Sequence, residues 1–180
     1  MKSVLVLMVL SACFSGFAFG ADDVRVKSAS SKLLHALPST QDLPEYSKVY
    51  DDQRDPFKDA TAALTLARET NRNVLIEIGG NWCTWCHKMD AFLLKNPMVY
   101  QALHTKYVLL KINVSNSNEN TAFMESLPPV LGYPHMFVST ASGKMLLSKD
   151  TAELQDNHGY SKDYWLAFLG EWDTTTSLGK

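Results

Sequence analysis

The feature that most constrains this chain is an apolar run that leads directly into a pair of cysteines. Residues 74–78 are rich in β-branched side chains, Gly79 and Gly80 follow, and Cys83 and Cys86 come next. Such a run predicts a short strand that is buried on both faces of a sheet. Two cysteines separated by two residues at the start of a helix are the arrangement of a dithiol redox site.

The composition predicts one globular domain without a nucleic-acid surface. The chain has 180 residues, of which 46% are hydrophobic, and its net charge is -2. A chain of this length can bury one sizeable core. Lysine and arginine are scattered among acidic residues, so no basic stripe is available and nucleic-acid binding is not expected.

The N-terminus predicts an export signal and therefore an exported, periplasmic protein. Lys2 is followed by an apolar core over residues 4–10, and Ala18 and Gly20 are small residues at the positions that a signal peptidase recognises. Cleavage there would leave Ala21 as the first residue. Beyond this signal, no stretch is long enough to span a membrane.

A lipoprotein signal is the alternative interpretation of the same segment. Residues 10–13 resemble a lipobox, in which Cys13 would be acylated and would anchor the protein to a membrane. The apolar residues Phe14, Phe17 and Phe19 follow where a tether should be polar. A membrane is a partner only if Cys13 is lipidated, and both alternatives stay open.

Loss of the signal would leave Cys83 and Cys86 as the cysteines of the mature chain. A disulfide between them closes too short a loop to brace a fold. In an oxidising compartment, such an isolated pair is better explained by disulfide exchange than by structural cross-linking.

The pattern of apolar residues predicts an N-terminal extension over residues 21–55, a domain over 56–173 and a tail over 174–180. Asp55 and Pro56 are typical of a helix start. The predicted elements are a short helix at 31–37, helices at 56–71, 86–95, 98–103, 121–127 and 161–172, strands at 74–78 and 107–114, and a hairpin from 135–138 and 144–147.

This order of elements, with the Trp-Cys-Thr-Trp-Cys sequence at 82–86 and Gly-Tyr-Pro at 132–134, resembles the thioredoxin superfamily over residues 56–172. The resemblance implies an α/β fold with a central mixed β-sheet flanked by helices. Glu77 matches the buried acid of thioredoxins, and Lys111 matches the lysine that faces it. Pro134 matches the cis-proline that packs beside the disulfide and helps to hold a substrate chain.

Three features depart from the family pattern. Gly79 and Gly80 replace a bulkier pair that contains an aromatic residue, and the dipeptide at 84–85 is neither the Gly-Pro of cytosolic thioredoxins nor the Pro-His of strong oxidants. Tyr133 is bulky where the residue before the cis-proline is usually small or β-branched. These departures bear on which substrates the site accepts.

The resemblance and the residue chemistry together assign roles to the site. Cys83 is expected to attack, because the N-terminus of a helix stabilises its thiolate, and Cys86 is expected to resolve the mixed disulfide. Glu77 would pass protons to or from Cys86, with Lys111 tuning it. Trp82 would shield one flank of the pair and, with Tyr133 and Pro134, contact the substrate. Alternatively, Glu77 and Lys111 form a buried ion pair or point towards water.

The sequence therefore predicts a thiol–disulfide oxidoreductase that acts on protein thiols and disulfides through a Cys83–Cys86 disulfide. It would need no separate cofactor and no metal. The absence of Pro-His at 84–85 favours a reductase over an oxidase. An exported reductase would depend on a membrane partner for its electrons.

Two other functions fit parts of the same motif. Cys83, Cys86 and His87 match the attachment motif of c-type haem, although a cytochrome would place it in a mostly helical domain. A copper-handling protein could use both cysteines with His87 or Met89, although the chain lacks a Met-rich or His-rich tract.

Overall fold

The computed structural model describes residues 40–174. The predicted export signal, Cys13, the predicted helix at 31–37 and residues 175–180 of the predicted tail lie outside the described residues. In the described part, no helix is both long and apolar enough to cross a membrane.

The described chain alternates helices and strands. The helices are α1 (Glu45–Lys48), α2 (Pro56–Thr70), α3 (Thr84–Lys95), α4 (Pro97–Lys106), α5 (Thr121–Met124) and α6 (Lys162–Glu171). The strands are β1 (Asn73–Gly79), β2 (Tyr107–Asn113), β3 (His135–Ser139), β4 (Met145–Asp150), β5 (Gln155–Asp156) and β6 (Gly159–Tyr160). Short 3-10 helices span Thr40–Asp42 and Thr151–Leu154.

The central sheet has the strand order β2-β1-β3-β4. Strand β1 pairs in parallel with β2 and antiparallel with β3, and β3 and β4 form the predicted hairpin. The expected mixed sheet is therefore confirmed. Every residue of β1 and β2 is buried, as the apolar runs predicted. A separate ribbon of β5 and β6, which the sequence did not predict, precedes α6.

Side-chain alternation along β1 distributes the core over both faces of the sheet. Leu75 packs with residues of helices α3, α4 and α6, whereas Val74 and Ile76 pack with residues of α1, α2 and α5. Glu77 and Gly79 lie two and four residues after Leu75, so they face the same side of the sheet. The alternation therefore directs both positions towards the face that helix α3 covers.

Helix boundaries follow the capping residues. Asp55 accepts hydrogen bonds from the backbone of Phe57 and Lys58, and Pro56 occupies the first turn, as predicted. Asn71 ends the helix in a left-handed conformation with φ of 51°. Helix α3 starts before the predicted residue 86, because the Cys83 side chain accepts a hydrogen bond and caps it.

The segment before helix α2 packs onto the domain more closely than its polar composition indicated. Tyr46, Ser47 and Tyr50 are buried, and the Ser47 hydroxyl donates to the carbonyl of Leu109 in β2 at 2.5 Å. These side chains contact the sheet and the cysteine pair. Part of the predicted extension thus contributes to the core and to the candidate site.

Candidate active site

Cys83 and Cys86 are joined by a disulfide at the start of helix α3. The backbone N–H of Cys86 donates to the Cys83 sulfur at 3.1 Å, so the first turn of the helix directs a donor at that atom. Cys86 is completely buried, and Cys83 retains 3% exposure. Of the two cysteines, Cys83 is therefore the one that retains any exposed surface.

A buried charged group lies behind the disulfide. Glu77 on β1 is directly opposite Lys111 on β2 in the strand register, and its residue exposure is 1%. The Lys111 nitrogen is 3.9 Å from Oε1 of Glu77 and 2.5 Å from Oδ1 of Asp90 on helix α3. Glu77 and Lys111 therefore do not point towards water, which excludes that alternative from the sequence analysis. They form a buried ion pair that includes Asp90 as a second carboxylate.

Burial and neighbouring charges shift the pKa values of both Glu77 and Lys111. Burial raises the pKa of Glu77 above its ordinary value; the charge of Lys111 opposes this rise, and that of Asp90 adds to it. Burial lowers the pKa of Lys111, but Glu77 and Asp90 outweigh that effect and the net shift is upwards. Glu77 can therefore exist in a protonated form closer to neutral pH than an exposed glutamate can.

Tyr50 is a site residue that the sequence analysis missed. Its hydroxyl donates a hydrogen bond to Oε1 of Glu77, and the nitrogen of Lys111 lies 4.9 Å from its ring centroid. Tyr50 also packs in one cluster with Cys83 and Cys86. The hydroxyl therefore lies between the buried acid and the disulfide.

Gly79 provides the space for this arrangement. A Cβ atom at Gly79 would lie 2.6 Å from the Tyr50 hydroxyl oxygen and 2.7 Å from the Cys86 sulfur. Both distances are shorter than van der Waals contact. The departure from the family pattern at this position thus coincides with a phenol that occupies the vacated volume.

Gly80 allows the indole of Trp82 to approach the backbone of Val114 closely. The indole nitrogen of Trp82 donates to the carbonyl of Val114 at 2.6 Å, and a Cβ at Gly80 would lie 2.6 Å from that nitrogen. Trp82 as a whole residue is 56% exposed, and its ring meets Tyr133 edge to face at 5.2 Å between centroids.

A groove of about 1110 Å³ borders these two rings and continues along the segment between β2 and β3. Tyr133 also packs against the cluster that contains the two cysteines. The peptide bond between Tyr133 and Pro134 is cis, and the carbonyl of Pro134 accepts a hydrogen bond from Thr151 at 2.7 Å. Trp82 and Tyr133 thus line the groove, and Tyr133 also borders the disulfide.

His87 and Met89, the additional ligands that a copper site could use, lie in different environments. His87 is exposed, with its Nε2 atom 2.8 Å from the carbonyl oxygen of Asn81, whereas Met89 is fully buried in the core. Within residues 40–174, no group of three or more histidine, cysteine or acidic side chains could hold a metal ion.

Asp90 is the second site residue that the sequence analysis missed. It lies four residues after Cys86 on the same helix, a spacing that places both side chains on one face. That spacing was the available signal for Asp90. Tyr50 gave no such signal, because it lies in a polar segment without a helix or strand period.

A mixed sheet that presents a bonded Cys-x-x-Cys pair at a helix N-terminus is the architecture of a thioredoxin-like thiol–disulfide oxidoreductase. Residues 55–141 match a protein-family model described as thioredoxin-like. The fold is therefore thioredoxin-like, as the resemblance to the superfamily implied, and the family match spans just under half of the chain.

Two solved structures share this fold. A disulphide isomerase from Xylella fastidiosa is 24% identical, with a TM-score of 0.58 over 72% of this chain and 95% of that one. The oxidised C-terminal domain of DsbD from Neisseria meningitidis is 22% identical, with a TM-score of 0.51 over 65% of this chain and 95% of that one.

Two curated relatives carry the name thiol:disulfide interchange protein DsbD. The protein from Klebsiella pneumoniae is 28% identical over 108 residues, which are 59% of this chain and 17% of the relative. The protein from Haemophilus ducreyi is 32% identical over 72 residues, which are 40% of this chain and 12% of the relative. The chain thus matches less than a fifth of the length of either relative.

Proposed function

We propose that this protein is an exported, periplasmic reductase of disulfides in other proteins. The observation that carries the proposal is the position of the Cys83–Cys86 disulfide between a groove and a buried acid. It packs against Tyr133, which lines the open groove, and against Tyr50, which binds the buried Glu77. Such an arrangement separates the sulfur that meets a partner from the sulfur that remains inside. The N-terminal export pattern supports the location.

The reaction begins from the dithiol form. The Cys83 thiolate attacks one sulfur of a substrate disulfide, a mixed disulfide forms, and the other substrate sulfur leaves as a thiolate that takes up a proton. Cys86 then loses its proton and attacks the Cys83 sulfur. The second substrate thiolate leaves and is protonated, so the substrate gains two electrons and two protons while the Cys83–Cys86 disulfide forms.

Each turnover consumes the dithiol, so a donor must reduce the disulfide again. The same exchange chemistry, run in reverse with a partner dithiol, restores both thiols without a separate cofactor or metal. We assign this supply to a membrane protein, because an exported reductase must obtain electrons from across the membrane. The match to DsbD, a thiol:disulfide interchange protein by name, supports a partner of this chemistry.

The side chains around Cys83 suit a polypeptide substrate. Trp82 exposes aromatic surface next to the disulfide and contacts Tyr133, and the adjoining groove has a volume of about 1110 Å³, which suits a segment of polypeptide. Pro134 would hold such a chain through its backbone. The dipeptide at 84–85, which lacks the Pro-His of strong oxidants, supports reduction as the direction.

Insulin reduction with dithiothreitol as electron donor tests this function. The wild-type protein should accelerate precipitation of the reduced insulin chains, and Cys83→Ser should abolish the acceleration. A redox equilibrium with glutathione should place the potential near that of thioredoxins, roughly -270 mV. A potential nearer the oxidising end of the family, about -120 mV, would show that the direction is wrong.

A further inference from the structure

Tyr50 is held at the disulfide by hydrogen bonds to its own carbonyl and to Asp52. Its carbonyl oxygen accepts a hydrogen bond from the side chain of Asn81, in the turn before Cys83, at 3.0 Å. Two residues later, Asp52 accepts hydrogen bonds from Ser117 at 2.7 Å and, through its backbone, from Asn118 at 2.8 Å. The phenol is therefore fixed although its segment precedes the family match at 55–141.

The hydroxyl of Tyr50 lies near two groups that take part in disulfide exchange. It donates to Glu77, whose carboxylate is on β1, and it borders the same small volume beside Gly79 as the sulfur of Cys86. Tyr50 itself is 4% exposed, so bulk water has little access to this volume. A proton that leaves or reaches Cys86 needs a carrier there.

We propose that the Tyr50 hydroxyl relays protons between Glu77 and the resolving thiol of Cys86. When Cys86 attacks the mixed disulfide, its thiol proton passes to the Tyr50 oxygen while the Tyr50 proton passes to the Glu77 carboxylate. When the Cys83–Cys86 disulfide is reduced, Cys86 leaves as a thiolate and both transfers run backwards. Tyr50 is neutral before and after each event, and this inference rests on the proposed exchange function.

The electrostatic surroundings suit a neutral relay. Burial, followed by the charge of Glu77, raises the pKa of Tyr50 well above its ordinary value, so the phenol keeps a proton at working pH. The ionisable groups that face it are Glu77 from β1, Lys111 from β2, Asp90 from α3 and Tyr160 from β6. A hydroxyl can donate and accept at the same time, which a relay requires.

The test is the pH dependence of single-turnover reduction of the disulfide by dithiothreitol, followed by tryptophan fluorescence from about pH 5 to about pH 9. Tyr50→Phe keeps the ring and removes the hydroxyl. We expect a rate lower by about tenfold or more and loss of the pH inflection that Glu77→Gln also removes. Adding Tyr50→Phe to Glu77→Gln should cause no further slowing, because both act in one transfer.

Tyr46→Phe is the matched control, because Tyr46 is a buried tyrosine of the same segment that packs in the cluster on the opposite face of the sheet. It should keep the wild-type rate and profile. The relay is wrong if Tyr50→Phe stays within about twofold of this control, or if its effect multiplies with that of Glu77→Gln. A wild-type protein that fails to reduce insulin would instead contradict the proposed function.

Gly79→Ala provides a second variant that keeps the Tyr50 hydroxyl but displaces it from the volume beside Cys86. We expect it to reproduce the altered pH profile of Tyr50→Phe at a temperature where thermal unfolding shows that the variant is folded. An unchanged profile in both variants would overturn the relay.

Discussion

Lys111 donates a hydrogen bond to Asp90 at 2.5 Å while its nitrogen stays 3.9 Å from Glu77. The lysine that was expected to tune Glu77 is therefore shared with a second acid. Asp90 is about one-third exposed through its side chain, whereas the side chains of Lys111 and Glu77 are buried. The group of three charges thus runs from solvent to the interior behind the disulfide.

Asp90→Asn should lower the pKa of Glu77. The substitution removes a negative charge that raises this pKa and releases Lys111 to interact with Glu77 more strongly. We expect the Glu77 inflection in the pH dependence of disulfide reduction to move to lower pH. Asp163→Asn, at an exposed acid in the first turn of helix α6, is the control and should leave the profile in place. A shift to higher pH with Asp90→Asn would show that the assignment of charges is wrong.

Lys111→Met should destabilise the protein more at neutral pH than in mild acid. The variant leaves Glu77 buried without its cation, which costs about 3 kcal/mol when the carboxylate is charged. Protonation of Glu77 relieves this cost, and the raised pKa of Glu77 rises further without Lys111. The stability difference from wild type, measured by urea unfolding, should therefore shrink as pH falls from 7 to about 5. A difference that is constant or grows in acid would contradict the buried pair.

Gly79→Ala should cost about 2 kcal/mol or more of stability, because the added methyl group would overlap the Tyr50 hydroxyl and the Cys86 sulfur. Gly132→Ala is the matched control, since a Cβ at Gly132 meets no atom within 4 Å. Thermal unfolding of the oxidised forms compares the two. Equal melting temperatures would mean that the volume beside Gly79 is larger than the structure gives.

His104 should make the protein less stable in mild acid. Burial, followed by the positive charges of Arg72 and Lys111, lowers the pKa of His104 to about 4 from an ordinary 6.5. Between these values the unfolded chain binds the proton more tightly, so stability rises with pH across that window. Across this window the free energy of unfolding changes by about 3 kcal/mol in total. His104→Gln should flatten the dependence of unfolding free energy on pH between about 4 and 6.5, and an unchanged slope would contradict a buried neutral imidazole.

The sequence predicted the elements whose patterns are local. The apolar runs of β1 and β2, the Asp55 cap of helix α2 and the hairpin of β3 and β4 each depend on neighbours in the chain, and each matches the structure. The thioredoxin resemblance supplied the order in which they assemble. Glu77 and Lys111 were singled out because they match the buried acid of thioredoxins and the lysine that faces it.

The contacts of the polar segment could not be predicted in the same way. Tyr50 reaches Glu77 across a separation of 27 residues, and Ser47 reaches Leu109 across 62. Neither contact leaves a periodic pattern, because each depends on a single side chain from an irregular segment. Gly79 was recognised as unusual, but the reason for it became visible only with the phenol beside it.

The central claim is that Cys83 meets the partner and Cys86 resolves the mixed disulfide. Cys86→Ser removes the resolving thiol, so its reaction with insulin should stop at a covalent adduct, because no second thiol displaces the substrate. Intact mass and peptide mapping should locate one insulin molecule on Cys83 through a single mixed disulfide, and a reductant should release it. The double variant Cys83→Ser, Cys86→Ser should form no adduct. Failure of Cys86→Ser to trap insulin, or trapping by Cys83→Ser alone through Cys86 at an equal rate, would contradict the assignment of the two cysteines.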